Sequence, residues 1–138
     1  MNEVFFLELS KIQPSQLFIS KRKLRKVKKK INQNNGTIDP IPVKKIGEEL
    51  IYTDGHTRAF VAFQMGLDKI PVEWETENLD WEMYEVCIKW CKDDEIFTIK
   101  DLENRIVSHK KYKIVWYERC KIMQNEIEKN RLLINRKH

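Results

Sequence analysis

The stretch IYTDGHTRAF, residues 51–60, runs an apolar, strand-like segment straight into the first turn of a helix, with five polar or special residues packed into the joint. Such a joint sets the direction in which the chain leaves a sheet, so it constrains the fold more than any other segment. Upstream of it, two short apolar segments at 41–46 and 50–53, separated by Gly47, Glu48 and Glu49, read as a β-hairpin. Downstream, Ala59, Phe60, Ala62 and Phe63 give a helical packing face that Gly66 ends, and KIPVEWE follows as a further strand. Strand, strand, helix, strand in so short a span predicts a small mixed sheet with a helix laid on it.

The segments before the hairpin extend this pattern. VFFLEL, residues 4–9, has the aromatic density of a strand, and Pro14 makes KIQPSQLFIS, residues 11–20, a turn-bearing connection. Residues 21–30, KRKLRKVKKK, hold eight of the chain's 26 Lys and Arg, while Leu24, Val27 and Ile31 recur at helical spacing. With Ser20 as its cap, this is a basic amphipathic helix, and NQNNG with Gly36 stops it. Pro40 and Pro42 place the first hairpin strand near a sheet edge or at a strand start.

The formal charge of +5 is concentrated in that one helix, because outside it 18 basic residues face 21 acidic ones. It is either a solvated face or a surface that meets phosphate. Apolar content of 41% against 34% charged residues, with four glycines and four prolines, excludes fibrous and disordered classes. The N-terminal apolar run is too short to span a membrane and lacks a positively charged start, which predicts a cytoplasmic protein without membrane partners. From Asp80 onward the pattern reads as all helical: a Trp-rich helix from Asp80, a second from a Thr98 cap, and a long third from a Ser108 cap. Cys87 and Cys91 share a helical face without a zinc-spaced partner pair, so they and Cys120 are expected as reduced thiols in or near the core.

The chemistry of the joint follows from its geometry. Gly55 permits a tight turn and close approach of another group to the backbone. The amides of His56, Thr57 and Arg58 then belong to a helical first turn, where they lack intrahelical acceptors and carry the positive end of the dipole. A hydroxyl at Thr57, a guanidinium at Arg58 and a histidine at 56 complete an anion site suited to phosphate. The competing reading is an Asp54 N-cap on a helix that merely starts with polar residues.

DPIPVKKI, the hairpin and YTDGHTRAFVAFQMGLDKIPV together resemble the ParB/sulfiredoxin domain superfamily, over about residues 4–75. Members include DNA-partitioning proteins that bind cytidine triphosphate, sulfiredoxins, nucleases and free serine kinases. Sulfiredoxins carry a reactive cysteine where this chain has His56, which excludes sulfinic acid repair. Partitioning proteins carry a G-E-R-R box and a helix-turn-helix, neither of which is matched here. The local likeness is greatest to the free serine kinases, whose box is D-G-H-x-R. That likeness implies a nucleoside di- or triphosphate with magnesium, Asp54 and His56 as catalytic groups with Asp54 on the metal, and Gly55, His56, Thr57, Arg58 and Pro42 around the phosphates. Those kinases place a glutamate in the first loop where this chain has Gln16, an amide that cannot act as a base.

The expected architecture is therefore α+β: a small mixed β-sheet with helices over 1–78, ParB/sulfiredoxin-like, followed by a helical extension over 79–138 packed on it. Two functions stay open. One is a phosphotransferase or nucleotide hydrolase with a small-molecule acceptor. The other is a non-catalytic nucleotide- or DNA-binding regulatory module, in which Lys21, Arg22, Arg25, Lys28 and Lys29 form the basic surface. Either can accommodate an oligomer.

Overall fold

The structure is a computed structural model and describes residues 3–136. Five strands form a mixed sheet in the order β1-β6-β4-β5-β2, comprising β1 (Val4–Glu8), β6 (Lys69–Trp74), β4 (Ile41–Ile46), β5 (Glu49–Tyr52) and β2 (Ile12–Gln13). The predicted hairpin is β4–β5, antiparallel with Val43 opposite Tyr52. KIPVEWE is β6, which runs parallel to β4 and antiparallel to β1. Burial alternates along β4 and β6, so Ile41, Val43, Ile70 and Val72 point into the core. β4 lies at the centre of the sheet, not at its edge. Pro42 is tolerated there because it sits at the second residue of the strand, where its missing donor costs little pairing.

The basic segment forms α1 (Lys21–Gln33), capped by the Ser20 hydroxyl, which accepts from the Lys23 amide at 3.3 Å. Leu24 and Ile31 are buried and Val27 half-buried, so its stripe packs inward against α2 (His56–Gln64). Asn35 and Gly36 both take positive φ, and the Gly36 amide returns to the Ile31 carbonyl at 2.8 Å, which ends α1.

The second half departs from the all-helical expectation at one place. α3 (Trp81–Asp93) forms where a helix was expected, and the Asp80 side chain caps it, which the sequence reading did not assign. Beyond it only a single 3-10 turn, Ile99–Leu102, forms under the Thr98 and Asp101 capping box. The chain then becomes β7 (Ile106–Val107), parallel to β3 (Ile19–Ser20). Two interactions pull it out of helix: the Arg105 Nε donates to the Leu17 carbonyl at 2.6 Å, and the Ile19 amide donates to the Arg105 carbonyl at 3.0 Å. The adjacent β-branched pair Ile106 and Val107 suits an extended backbone.

Ser108 then caps a continuous 28-residue helix made of α4 (His109–Tyr112), a π-helical stretch (Lys113–Glu118) and α5 (Arg119–Arg136). Arg131 fastens it to the start of α3, donating to both oxygens of Asp80 and to Glu82. The boundary near residue 78 falls in the connection between β6 and α3, but one hydrophobic cluster runs through both halves, from Leu17 and Phe60 to Cys91, Leu102, Trp116 and Met123. Cys87 and Cys91 are buried, Cys120 is partly exposed, and all three are free thiols. Among the described residues no helix is long and apolar enough to cross a membrane.

Candidate functional site

β5 delivers the chain to Thr53, whose position is over-determined. Its amide donates to the Pro42 carbonyl at 3.2 Å, its hydroxyl donates to Glu75 at 2.7 Å and lies 3.3 Å from that same carbonyl, and its own carbonyl accepts from the Tyr84 hydroxyl at 2.7 Å. Asp54 follows, exposed, with Oδ1 accepting from the Gly55 amide at 2.7 Å. Gly55, not Asp54, is the N-cap residue of α2. It has a φ of 76°, and a Cβ there would lie 3.0 Å from both Ile41 Cγ2 and the Arg58 guanidinium. Among the described residues no side chain caps α2, and its first internal bond runs from Ala59 to Gly55 at 3.0 Å. The amides of His56, Thr57 and Arg58 precede that bond and have no acceptor within the helix.

This helix start opens on a cleft of about 350 Å³ lined by Asp54 to Arg58, Gln16, Lys23, Lys26, Val27 and Tyr112. The basic helix is thus divided by its phase. Lys23 and Lys26, three apart, share the face beside the apolar stripe and reach the cleft, whereas Lys21, Arg22, Arg25, Lys28 and Lys29 are exposed and outside its lining. Lys23 is held in place by the rings of Tyr112 and Tyr117, whose centroids lie 5.2 and 5.0 Å from its ammonium. Hollows of about 510 and 490 Å³ lie elsewhere on the surface, but neither touches the 54–58 joint.

His56 corrects the sequence reading. It is 4% exposed, and its Nε2 accepts from the Ser15 amide at 2.9 Å. Burial lowers its pKa to about 4, against a smaller opposing pull from the Asp54 charge. The ring is therefore neutral near pH 7, with its hydrogen on Nδ1, and it pins the first loop to α2 instead of exchanging protons there. Arg58 is also partly committed: one guanidinium nitrogen donates to the carbonyls of Pro40 and Asp39, at 2.9 and 3.3 Å, so less of its donor fork is available to phosphate than expected. Pro42 lies outside the cleft, its carbonyl engaged by Thr53. Gln16 does line the cleft, while its amide donates to the Phe18 carbonyl at 2.8 Å.

Asp54 is exposed and lines the cleft, and its carboxylate could hold a magnesium ion. Such ions are commonly held by one or two carboxylates together with phosphate oxygens, and no cluster of three His, Cys, Asp or Glu residues occurs among the described residues. Ser15 and Tyr112 were missed from the sequence. Nothing in a local pattern signals that a loop residue 41 positions away will close over His56.

No family model matches the chain, and no curated protein matches it. Among solved structures it is similar to protein Atu1540 from Agrobacterium tumefaciens, with a TM-score of 0.50 and 12% identity over 75% of this chain. The chain spans 63% of that protein's length, and at this identity the likeness speaks to fold alone.

Proposed function

We propose that this protein is a ParB/sulfiredoxin-like nucleotide-binding protein that holds the phosphates of a nucleoside di- or triphosphate, with magnesium at Asp54. One observation carries the reading: the uncapped start of α2 opens on the same cleft that receives Lys23 and Lys26. Free amides at a helix start favour anions; the Arg58 guanidinium adds charge beside them, and the Lys23 and Lys26 ammonium groups add it from α1. Tyr112 adds an aromatic wall beside them.

If the site transfers or hydrolyses phosphate, the chemistry rests on positioning and on Asp54. His56 is neutral and committed to Ser15, and Gln16 is not a base. Asp54 would then hold the metal or receive the proton of an attacking hydroxyl. A non-catalytic regulatory module is favoured by a different observation, the exposed outer face of α1 with Lys21, Arg22, Arg25, Lys28 and Lys29. DNA affinity through that face would fall steeply with salt, whereas retention of a nucleotide in the cleft would change little.

Thermal-shift titration with nucleoside triphosphates and pyrophosphate, with and without magnesium, tests the proposal. A triphosphate at about a hundred times its Kd adds about 2.7 kcal/mol of stability, a rise of several degrees. The Lys23→Ala/Lys26→Ala variant should keep its own Tm and lose most of that rise. A full rise in the variant, or none with any phosphate in the wild type, removes the assignment.

A further inference from the structure

A second chamber, of about 220 Å³, adjoins the cleft and shares Gln16, Asp54 and His56 with it. Its outer wall comes from the helical half of the chain. Met83 and Cys87 are four apart on α3, and Trp116, Cys120 and Met123 recur at i, i+4 and i+7 on the C-terminal helix, so each set presents one face.

The polar groups near the sheet are largely spoken for. The Tyr84 hydroxyl donates to the Thr53 carbonyl, the Ser15 hydroxyl donates to the Tyr52 carbonyl, and His56 Nε2 accepts from Ser15. Asp54 is the charged side chain in the lining, which contains no Lys or Arg. A zwitterionic amino acid would bring a carboxylate here with no cation to meet it, at a cost of several kcal/mol if it entered the apolar part. An uncharged molecule with one polar end avoids that cost. An apolar cavity of about 150 Å³ already accepts benzene, so this chamber holds one ring with a short arm.

We propose that the chamber is the subsite for a small uncharged alcohol with an apolar or aromatic body, its hydroxyl at Asp54 and its body among Met83, Trp116, Cys120 and Met123. The proposal rests on the reading of the neighbouring cleft as a phosphate site only in making the alcohol the companion of that phosphate. It names a substrate class distinct from a free amino acid.

The probe is benzyl alcohol, followed by NMR of methyl-labelled methionines in the full chain, with L-serine as the charged comparison. The expected result is saturable movement of the Met83 and Met123 methyl signals with Met65 unmoved, and binding of L-serine weaker by roughly tenfold or more. Cys120→Phe, which fills the chamber, should abolish the movement. Should that variant unfold, Lys23→Ala/Lys26→Ala serves instead, because it should lose pyrophosphate yet keep benzyl alcohol. Pyrophosphate added to the wild type should leave benzyl alcohol in place. Failure of pyrophosphate to bind anywhere, with benzyl alcohol still moving Met83 and Met123, would remove the phosphate reading and leave the chamber assigned. No movement at Met83 and Met123, equal binding of L-serine, or displacement by pyrophosphate would overturn the proposal.

Discussion

Acidification should weaken this fold through one histidine, by an amount that can be worked out in advance. His56 is buried, accepts a backbone hydrogen bond at Nε2, and has a folded pKa of about 4 against 6.5 for an ordinary histidine. Above pH 6.5 both folded and unfolded chains carry it neutral, and its contribution to stability is complete. Below that, the unfolded state takes up the proton first, so stability falls as pH drops towards about 4. One shifted proton changes stability by at most 1.36 kcal/mol per pH unit, so the shift from 6.5 to about 4 is worth about 3 kcal/mol.

The assay is urea denaturation across this range for the wild type and for His56→Gln, whose side chain can still accept from Ser15 but does not titrate. The comparison is needed because the pKa of half-buried His109 is also lowered, by desolvation and by Arg22, Lys113, Lys23 and Lys26. It titrates equally in both proteins. The wild type should lose about 3 kcal/mol more than the variant. Parallel pH profiles, or a His56 ring signal titrating near the ordinary value, would refute the argument.

Three further outcomes are expected. Tyr52 is fully buried and its hydroxyl has no hydrogen-bond partner among the described residues, so Tyr52→Phe should raise stability by about 1 kcal/mol. With an unfolding entropy of about 2.1 cal/mol/K per residue, that is a Tm rise of about 3 °C by calorimetry. Gly55→Ala must hold alanine at a positive φ with its Cβ against Ile41 and Arg58, so it should cost about 2 kcal/mol and weaken pyrophosphate binding together. Among the thiols, Cys120 should be alkylated first in a peptide-mapped iodoacetamide time course. A hydrogen bond from Cys87 and the nearby Arg119 lower its pKa, whereas Cys87 is pushed up by the same contact and Cys91 is raised to about 12 by burial.

The readable parts of this fold are those that local chemistry specifies. Glycines at 47, 55, 36 and 66 all take positive φ, and they punctuate the hairpin, the joint and the two helix ends where the sequence placed them. Ser20 and Ser108 cap the helices assigned to them. The strands β2, β3 and β7 went unseen because two residues carry no periodicity, and their partners lie tens of residues away.

The site divides in the same way. The free helix start at 56–58 was legible because it follows from a strand, a glycine and a helix in sequence. The fate of the side chains was not. His56 sinks because the first loop folds over it, and Arg58 is drawn to Pro40 because α2 packs beside the approach to β4. The selection of Lys23 and Lys26 over their neighbours follows from helical phase once the stripe Leu24, Val27 and Ile31 is turned inward.

The π-helical stretch Lys113–Glu118 begins just after Tyr112, on the cleft, and ends just before Cys120, on the chamber. Such a turn accommodates one residue more than an α-helix does, and each residue rotates the remainder of the helix by about 100°. Removing a single residue between 113 and 118 would swing Cys120, Met123 and Ile127 off their inward bearing while leaving Tyr112 where it is. The length of this stretch therefore acts as a dial, by which one insertion or deletion could re-line one cavity and spare the other.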